Sequence, residues 1–214
     1  SGVIGKTFTF SAWIKPTAAT SPNRIFSINN RASTSYAVLR LNADLTLLAF
    51  LNTDGSSQVN TTDKVNLNSW NHVFLAVDNS QWYVTINGGT TQNMGLSSNP
   101  DNSGNVTTVG CIDNDVNSHE VMDGYFSDVY FVDGEALEPT AFGKYYPNDS
   151  DLNNLWGPLD SDTVKTNVGT FGKNGFYLPF DSKATGVNYS KGATVSQNKE
   201  PVTKLFDGNI LSEV

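Results

Sequence analysis

Ser69–Gly89, SWNHVFLAVDNSQWYVTINGG, is the stretch that decides the fold class. Trp70 to Val77 is an unbroken β-prone run, and Asp78-Asn79-Ser80 supply a turn. Trp82 to Ile86 form a second run, stopped by Asn87-Gly88-Gly89. Two such runs around a short Asn-containing turn make a β-hairpin. Working outward, TFTFSAWIKP (Thr7–Pro16) alternates with period two. Phe8, Phe10, Ala12 and Ile14 share one face, and Thr7, Thr9, Ser11 and Trp13 the other. Pro16 stands where a ladder N–H is no longer needed. RIFSINN (24–30) follows, then YAVLRLNADLTLLAFLNTDG (36–55), two strands hinged at Asn42-Ala43-Asp44. SSQVNTTDKVNL (56–67) is a more polar strand, and NVTTVGCI (105–112) and GYFSDVYFVDGEAL (124–137) complete the set.

Helical periodicity is nearly absent. Glu138-Pro139-Thr140-Ala141-Phe142-Gly143 suggests a single turn, with proline at its start and glycine at its end. Many short strands with almost no helix predict an all-β, two-sheet antiparallel sandwich of the jelly-roll type over residues 1–147. Residues 148–186 are rich in Asn, Asp and Gly, with Trp156, Phe171, Phe176, Tyr177 and Phe180 among them. They read as an irregular strap pinned to the sandwich by its aromatics. Residues 187–214 are polar and weakly patterned, as in a linker or the start of a truncated following module.

Composition narrows the function classes. The 214 residues carry 13 Lys+Arg against 21 Asp+Glu, a net charge of −8 with no basic cluster, which argues against nucleic acid as a partner. No apolar run reaches the ~18 residues of a membrane-spanning helix, so no membrane insertion is expected. The single cysteine, Cys111, excludes an internal disulfide and reads as a small buried hydrophobe. A chain opening at Ser1 without Met, and entering strand-like sequence at once, reads as a piece of something longer. The N-x-S/T triplets at Asn60, Asn105, Asn148 and Asn188 are chance occurrences in so Asn-rich a sequence.

FTFSAWIKP, the Trp70-to-Gly89 hairpin, VGCIDND and MDGYFSDVYFVDGEALEP occur in the order seen in concanavalin A-like lectin/glucanase (laminin-G-like) domains, and residues 5–143 resemble that family. Residues 124–183, from FVDGEALEPTAFG through LWGP to NGFYLPF, are similar to a version found in tail-fibre and other virion-surface proteins of marine bacteriophages. The resemblance implies a non-enzymatic adhesion or structural module of a phage tail fibre or capsid appendage. It would sit on the virion surface and contact host-surface glycans or neighbouring virion subunits, and fibre relatives of this kind are often homotrimers. Two other readings remain open: a decoration or assembly domain without a ligand, and a glycan hydrolase of the same fold.

Glycanases of this fold need two carboxylates in close register. Asp128, Asp133 and Glu135 do not supply that pattern. Asp128 reads as a lone surface acid, Asp133-Gly134 as a turn and Glu135 as lying beyond it, so no catalytic residue is assigned. His72 reads as a structural hydrogen-bonding residue, and His119 as an exposed loop residue. For glycan stacking the candidates are Trp82 and Tyr83, consecutive in a strand so that one faces outward, and Trp13 on the polar face of its strand. For a metal, Asp113, Asn114, Asp115 and Asn117 place four hard oxygens within five positions, a pattern suited to calcium. NPDNSGN (99–105) is a weaker alternative.

Overall fold

The structure, a computed structural model, describes residues 6–19, 23–30, 36–52, 57–96, 105–111, 121–147 and 155–180. The 79–80 turn has positive φ at both Asn79 (45°) and Ser80 (75°), as a two-residue type I′ hairpin requires. It joins β6 (Asn71–Asp78) to β7 (Gln81–Ile86), close to the hairpin read from the sequence. β6 also pairs antiparallel with β1 (Phe8–Pro16), and β1 with β10 (Gly124–Asp133). β8 (Gln92–Asn93) and β13 (Phe176–Leu178) extend this into a six-stranded sheet of order β13-β10-β1-β6-β7-β8. A five-stranded sheet holds β2 (Asn23–Asn30), β3 (Tyr36–Leu41), β4 (Thr46–Asn52), β5 (Ser57–Lys64) and β9 (Asn105–Val109), in the order β5-β4-β3-β2-β9.

The first core lies between the two sheets. Phe8, Phe10, Ala12 and Ile14 enter it from β1, as the alternation predicts, and meet Phe26, Ile28, Leu39, Leu41, Leu47, Ala49 and Leu51. Aromatic contacts knit the layers: Phe10 stacks on Phe26 at 4.3 Å, and Phe8 meets the edge of Trp82 at 6.1 Å. Gln92 seals one margin. Its side-chain Oε1 accepts from Thr62 N (2.7 Å) and its Nε2 donates to Asn60 O (3.1 Å), so an amide stands in for a further strand against the edge of β5.

A second core lies on the other face of β1, where Thr9 and Ser11 are fully buried and Trp13 is 4% exposed. The cover begins ahead of the strap, with a 3-10 turn at Pro139–Ala141 and β11 (Gly143–Tyr146), and continues through the strap itself, which is more regular than its composition predicts: β12 (Leu155–Pro158) pairs with β11, and helix α1 (Ser161–Val168) and β13 follow. α1 is absent from the sequence reading because only Val164 and Val168 of its eight residues are buried, too few to set a helical period. Its start and stop signals are nevertheless present. Asp160 caps the N-terminus by accepting from Thr163 N, and Gly169 terminates it at φ 68°. Phe74, Ala76, Tyr130, Val132, Phe142, Val164, Val168 and Tyr177 form the buried cluster between sheet and strap. The molecule is therefore sheet on sheet, with a third layer on the six-stranded side.

Cys111 is half-buried rather than enclosed, and its carbonyl accepts from Thr108 Oγ1 at 2.8 Å.

Candidate ligand-binding site

The covered face contains the arrangement that most resembles catalytic machinery. His72 is fully buried, with Ser11 Oγ 2.8 Å from Nε2 and Trp156 Nε1 3.0 Å from Nδ1. Its ring stacks on Trp13 at 5.1 Å. An indole N–H can only donate, so Nδ1 carries the lone pair and the Nε2–H donates to Ser11. A serine nucleophile needs the reverse tautomer, with Nδ1–H given to an acceptor and Nε2 free to take the hydroxyl proton. Burial also pushes the imidazole down to a pKa of about 3, so it stays neutral. The Ser11–His72–Trp156 chain is thus a polar weld between β1, β6 and the strap, in agreement with a structural role for His72.

Glycines make room for that weld. A Cβ on Gly88, where φ is 65°, would lie 2.1 Å from the Trp156 ring, and one on Gly143 would lie 2.6 Å from it. Gly88→Ala is expected to destabilise the protein by about 2 kcal/mol through overpacking and left-handed backbone strain, visible as a lowered thermal midpoint. An unchanged midpoint would mean that Trp156 does not occupy this slot.

The acids of β10 are structural ties. Asp128 is no lone surface acid. It sits at a β-bulge opposite the Ser11/Trp13 register shift, with φ 46°, and accepts from Tyr177 Oη (2.7 Å) and Ser127 Oγ (3.0 Å). Tyr177 stacks face to face on Tyr130 at 4.4 Å, and burial followed by the Asp128 charge raises both phenols above their ordinary range. Asp133 accepts from the backbone N (3.2 Å) and Nδ2 (2.6 Å) of Asn174, fastening the strap. Only Gly134 of the Asp133-Gly134 pair has positive φ, so the turn is not type I′. Asp128 and Asp133 are five residue steps apart along the strand, about 16 Å if extended, whereas paired glycosidase carboxylates stand ~5–9.5 Å apart.

The sequence-predicted aromatics all belong to the six-stranded sheet, and burial corrects two of them. Trp82 points inward and is 0% exposed, and Trp13 is 4% exposed beneath the strap, so neither ring can stack on a sugar. Tyr83 is the outward member of its pair, as alternation required. It is half-buried, packs against the second core, and donates from Oη to Gln81 Oε1 at 3.0 Å. The calcium candidates Asp113, Asn114, Asp115 and Asn117 lie outside the described residues, as do His119 and most of 99–105.

An open depression of about 420 Å³ lies instead on the outer face of the five-stranded sheet, lined by Arg40, Asn42, Asp44, Leu48, Gln58 and Asn60. Its floor is the outward row of β4, where Leu48 pairs with Arg40 and with Asn60, and Phe50 pairs with Gln58. The rim is the β3–β4 turn, held open by Leu45 at φ 72°. Asn42 Nδ2 donates to Thr46 Oγ1 (3.0 Å) and Asn60 Oδ1 (2.9 Å). Asp44 Oδ1 accepts from Thr46 Oγ1 (2.6 Å) and Thr46 N (3.1 Å), bonds that hold its carboxyl below the usual carboxylate range. The sequence could not single out this face: every position of LLAFL (Leu47–Leu51) is apolar, so alternation does not say which residues point outward.

The chain belongs to the concanavalin A-like lectin/glucanases superfamily, whose family profile matches residues 2–141. The fold is that of lectins and carbohydrate-binding modules. Among solved structures, the CBM40 domain of Ruminococcus gnavus IT-sialidase, bound to α2,3-sialyllactose, superposes with a TM-score of 0.52. It is 16% identical, over 64% of this chain and 80% of that one. Domain 4 of a GH43 extracellular arabinanase from Geobacillus stearothermophilus, in complex with arabinotriose, gives a TM-score of 0.50 at 18% identity, over 64% of this chain and 65% of that one. A putative carbohydrate-binding protein from Bacteroides ovatus is 20% identical with a TM-score of 0.49, over 64% of this chain and 40% of that one. The chain thus spans less than two thirds of the length of two of these three relatives. No curated protein matches it. Residues beyond 141, the strap among them, lie outside the family match.

Proposed function

We propose that this chain is a non-enzymatic glycan-binding module of a virion-surface protein, a phage tail fibre or capsid appendage that attaches to host-surface saccharides. The observation that carries the reading is the distribution of polar groups over the two sheets. The six-stranded sheet spends its Ser, His, Asp and Tyr side chains on fastening the strap. On the five-stranded sheet, Asp44, Gln58 and Asn60 are exposed around a depression. The saccharides bound by the compared R. gnavus and G. stearothermophilus domains make a glycan the natural ligand class for such a fold. The virion setting rests on the FVDGEALEPTAFG-to-NGFYLPF segment. Weak single-site affinity would be multiplied by repeated copies on a particle, and a homotrimer would supply three.

Incubation of the purified chain with an immobilised saccharide array is expected to give saturable binding, without release of reducing ends from the bound polysaccharides. Release of reducing ends would favour the hydrolase reading. A blank array, together with a particle image placing the chain between subunits, would favour an assembly domain.

A further inference from the structure

We infer that the β3–β4 depression takes an acidic saccharide by its carboxylate, held by the guanidinium of Arg40 and the side-chain amides of Gln58 and Asn60. The inference rests on the glycan-binding reading and gives it a location and a ligand class.

The local charge runs against that of the chain. Arg40 lines the depression, and Arg24 stands directly across from it on β2. Residues opposite each other on an antiparallel pair share a face, with Cβ atoms ~4.5–5.5 Å apart, and like charges there repel. Lys64, at the end of β5, adds a third cation in electrostatic reach of the rim. The opposing carboxylate is Asp44. Asp63, also on β5, is turned away toward Gly89, 3.5 Å from where a Cβ on that glycine would lie. Among the described residues the depression therefore has Arg24, Arg40 and Lys64 against Asp44, on a chain whose net charge is −8.

Burial decides which of these charges a ligand feels most. Asp44 is exposed and has Lys64 nearby, so water, salt and that ammonium all screen it. Arg24 is 5% exposed and Arg40 half-buried, so their field is screened less. An anion seated against Arg40 would relieve the repulsion between the two guanidiniums, and a neutral ligand would not.

The donors are placed to receive it. A guanidinium presents five N–H groups in a planar fork that matches a carboxylate, so Arg40 can serve a ligand beside its protein contacts. Leu48 pairs with both Arg40 and Asn60, which puts those two residues two strand spacings apart, about 10 Å. Asn60 accepts from Asn42 through Oδ1, so its amide nitrogen remains to donate. Gln58, two residues back on β5, has an exposed side chain at the same margin. Asp44 is oriented by the hydroxyl and N–H of Thr46, both donating to Oδ1, and its Oδ2 can accept from a sugar hydroxyl. The depression thus offers donors for a carboxylate and, at its rim, an acceptor for a hydroxyl. A uronate or a sialate carries both groups on one ring.

The test is calorimetric titration of the purified chain with a galacturonate trimer and 3′-sialyllactose, against maltotriose and lactose as neutral controls. At least one acidic saccharide is expected to bind more tightly than both neutral ones, with affinity falling as NaCl rises from ~50 to ~300 mM. The two acidic ligands separate a uronate from a sialate as the source of the carboxylate. Arg40→Lys keeps the charge but loses the fork, and is expected to weaken acidic binding about tenfold. Asp44→Asn keeps an oxygen for Thr46 and removes the opposing charge, and is expected to strengthen acidic binding about threefold. That gain is one a merely structural role for the turn would not produce. Neutral saccharides bound as tightly as acidic ones, or acidic binding that neither substitution moves, overturns the inference and leaves the glycan-binding reading standing. Absence of acidic binding in the titration also overturns it, and a blank array then removes the glycan-binding reading as well.

Discussion

Trp156→Ala is expected to produce the largest loss of stability of any single substitution in the strap. Truncating a buried tryptophan costs ~3–5 kcal/mol, and here it also leaves His72 Nδ1 buried with its hydrogen-bond donor removed. For a domain of this size the thermal midpoint should fall by roughly 10 °C. Limited proteolysis should then cut within residues 147–180 while the sandwich resists. Trp156→Phe separates the two contributions. It fills most of the slot between Gly88 and Gly143 but cannot donate, so its cost should be ~1–3 kcal/mol, that of one orphaned buried acceptor. Equal losses for the two variants would show that the indole N–H, and not packing, secures the strap, and no loss in Trp156→Phe would show the reverse. Any ligand taken at the depression on the five-stranded sheet should be unaffected in either folded variant, because the depression shares no side chain with the weld.

Acid is the second route to the same junction. The buried imidazole has its pKa lowered to about 3, from 6.5 in the unfolded chain. The unfolded state therefore takes up a proton before the folded one, and stability is complete above pH ~6.5 and declines as pH falls toward 3. The slope is ~1.4 kcal/mol per pH unit, or roughly 2 kcal/mol lost by pH 5. Protonation also has a specific structural effect: it puts a proton on Nδ1 facing the indole N–H, and two donors cannot bond. Nitrogen-15 correlation spectra should report the Nε2–H tautomer for His72, with shifts constant between pH 8 and pH 5. A His72 signal titrating near 6.5 would mean that the ring reaches solvent and that the weld is not closed.

Much of this architecture was legible in the chain, and the limits have identifiable causes. The 78–80 turn, the parity of Phe8, Phe10, Ala12 and Ile14, and the Asn42–Asp44 hinge are local signals, and each strand formed close to where its residues implied. The third layer was harder to read. The polar residues Thr9 and Ser11 look solvated in sequence. They are buried because partners arrive from more than sixty residues away, His72 for Ser11, and Glu135 O and Leu137 N for Thr9. For Trp82 and Tyr83, alternation requires opposite faces but does not assign them. The choice is set by cross-strand register, with Trp82 opposite Val77 and Tyr83 opposite Ala76. On β4, an all-apolar strand hid the outward row of Leu48 and Phe50, so the candidate site emerged only once Gln58 and Asn60 were placed across from it. Trp156 looked like one strap aromatic among five. Its role depends on two glycines and a histidine that no local pattern connects to it.

The strap has a further consequence. By roofing one side of the sandwich it gives the domain a front and a back. A partner reaching the Asp44 rim must come from the front, and copies arrayed on a common support would need that side turned outward to act together. Adhesive strength would then depend on how each copy is mounted as much as on what it binds. Two particles displaying equal numbers of this domain, tilted differently, would hold a surface with different strength.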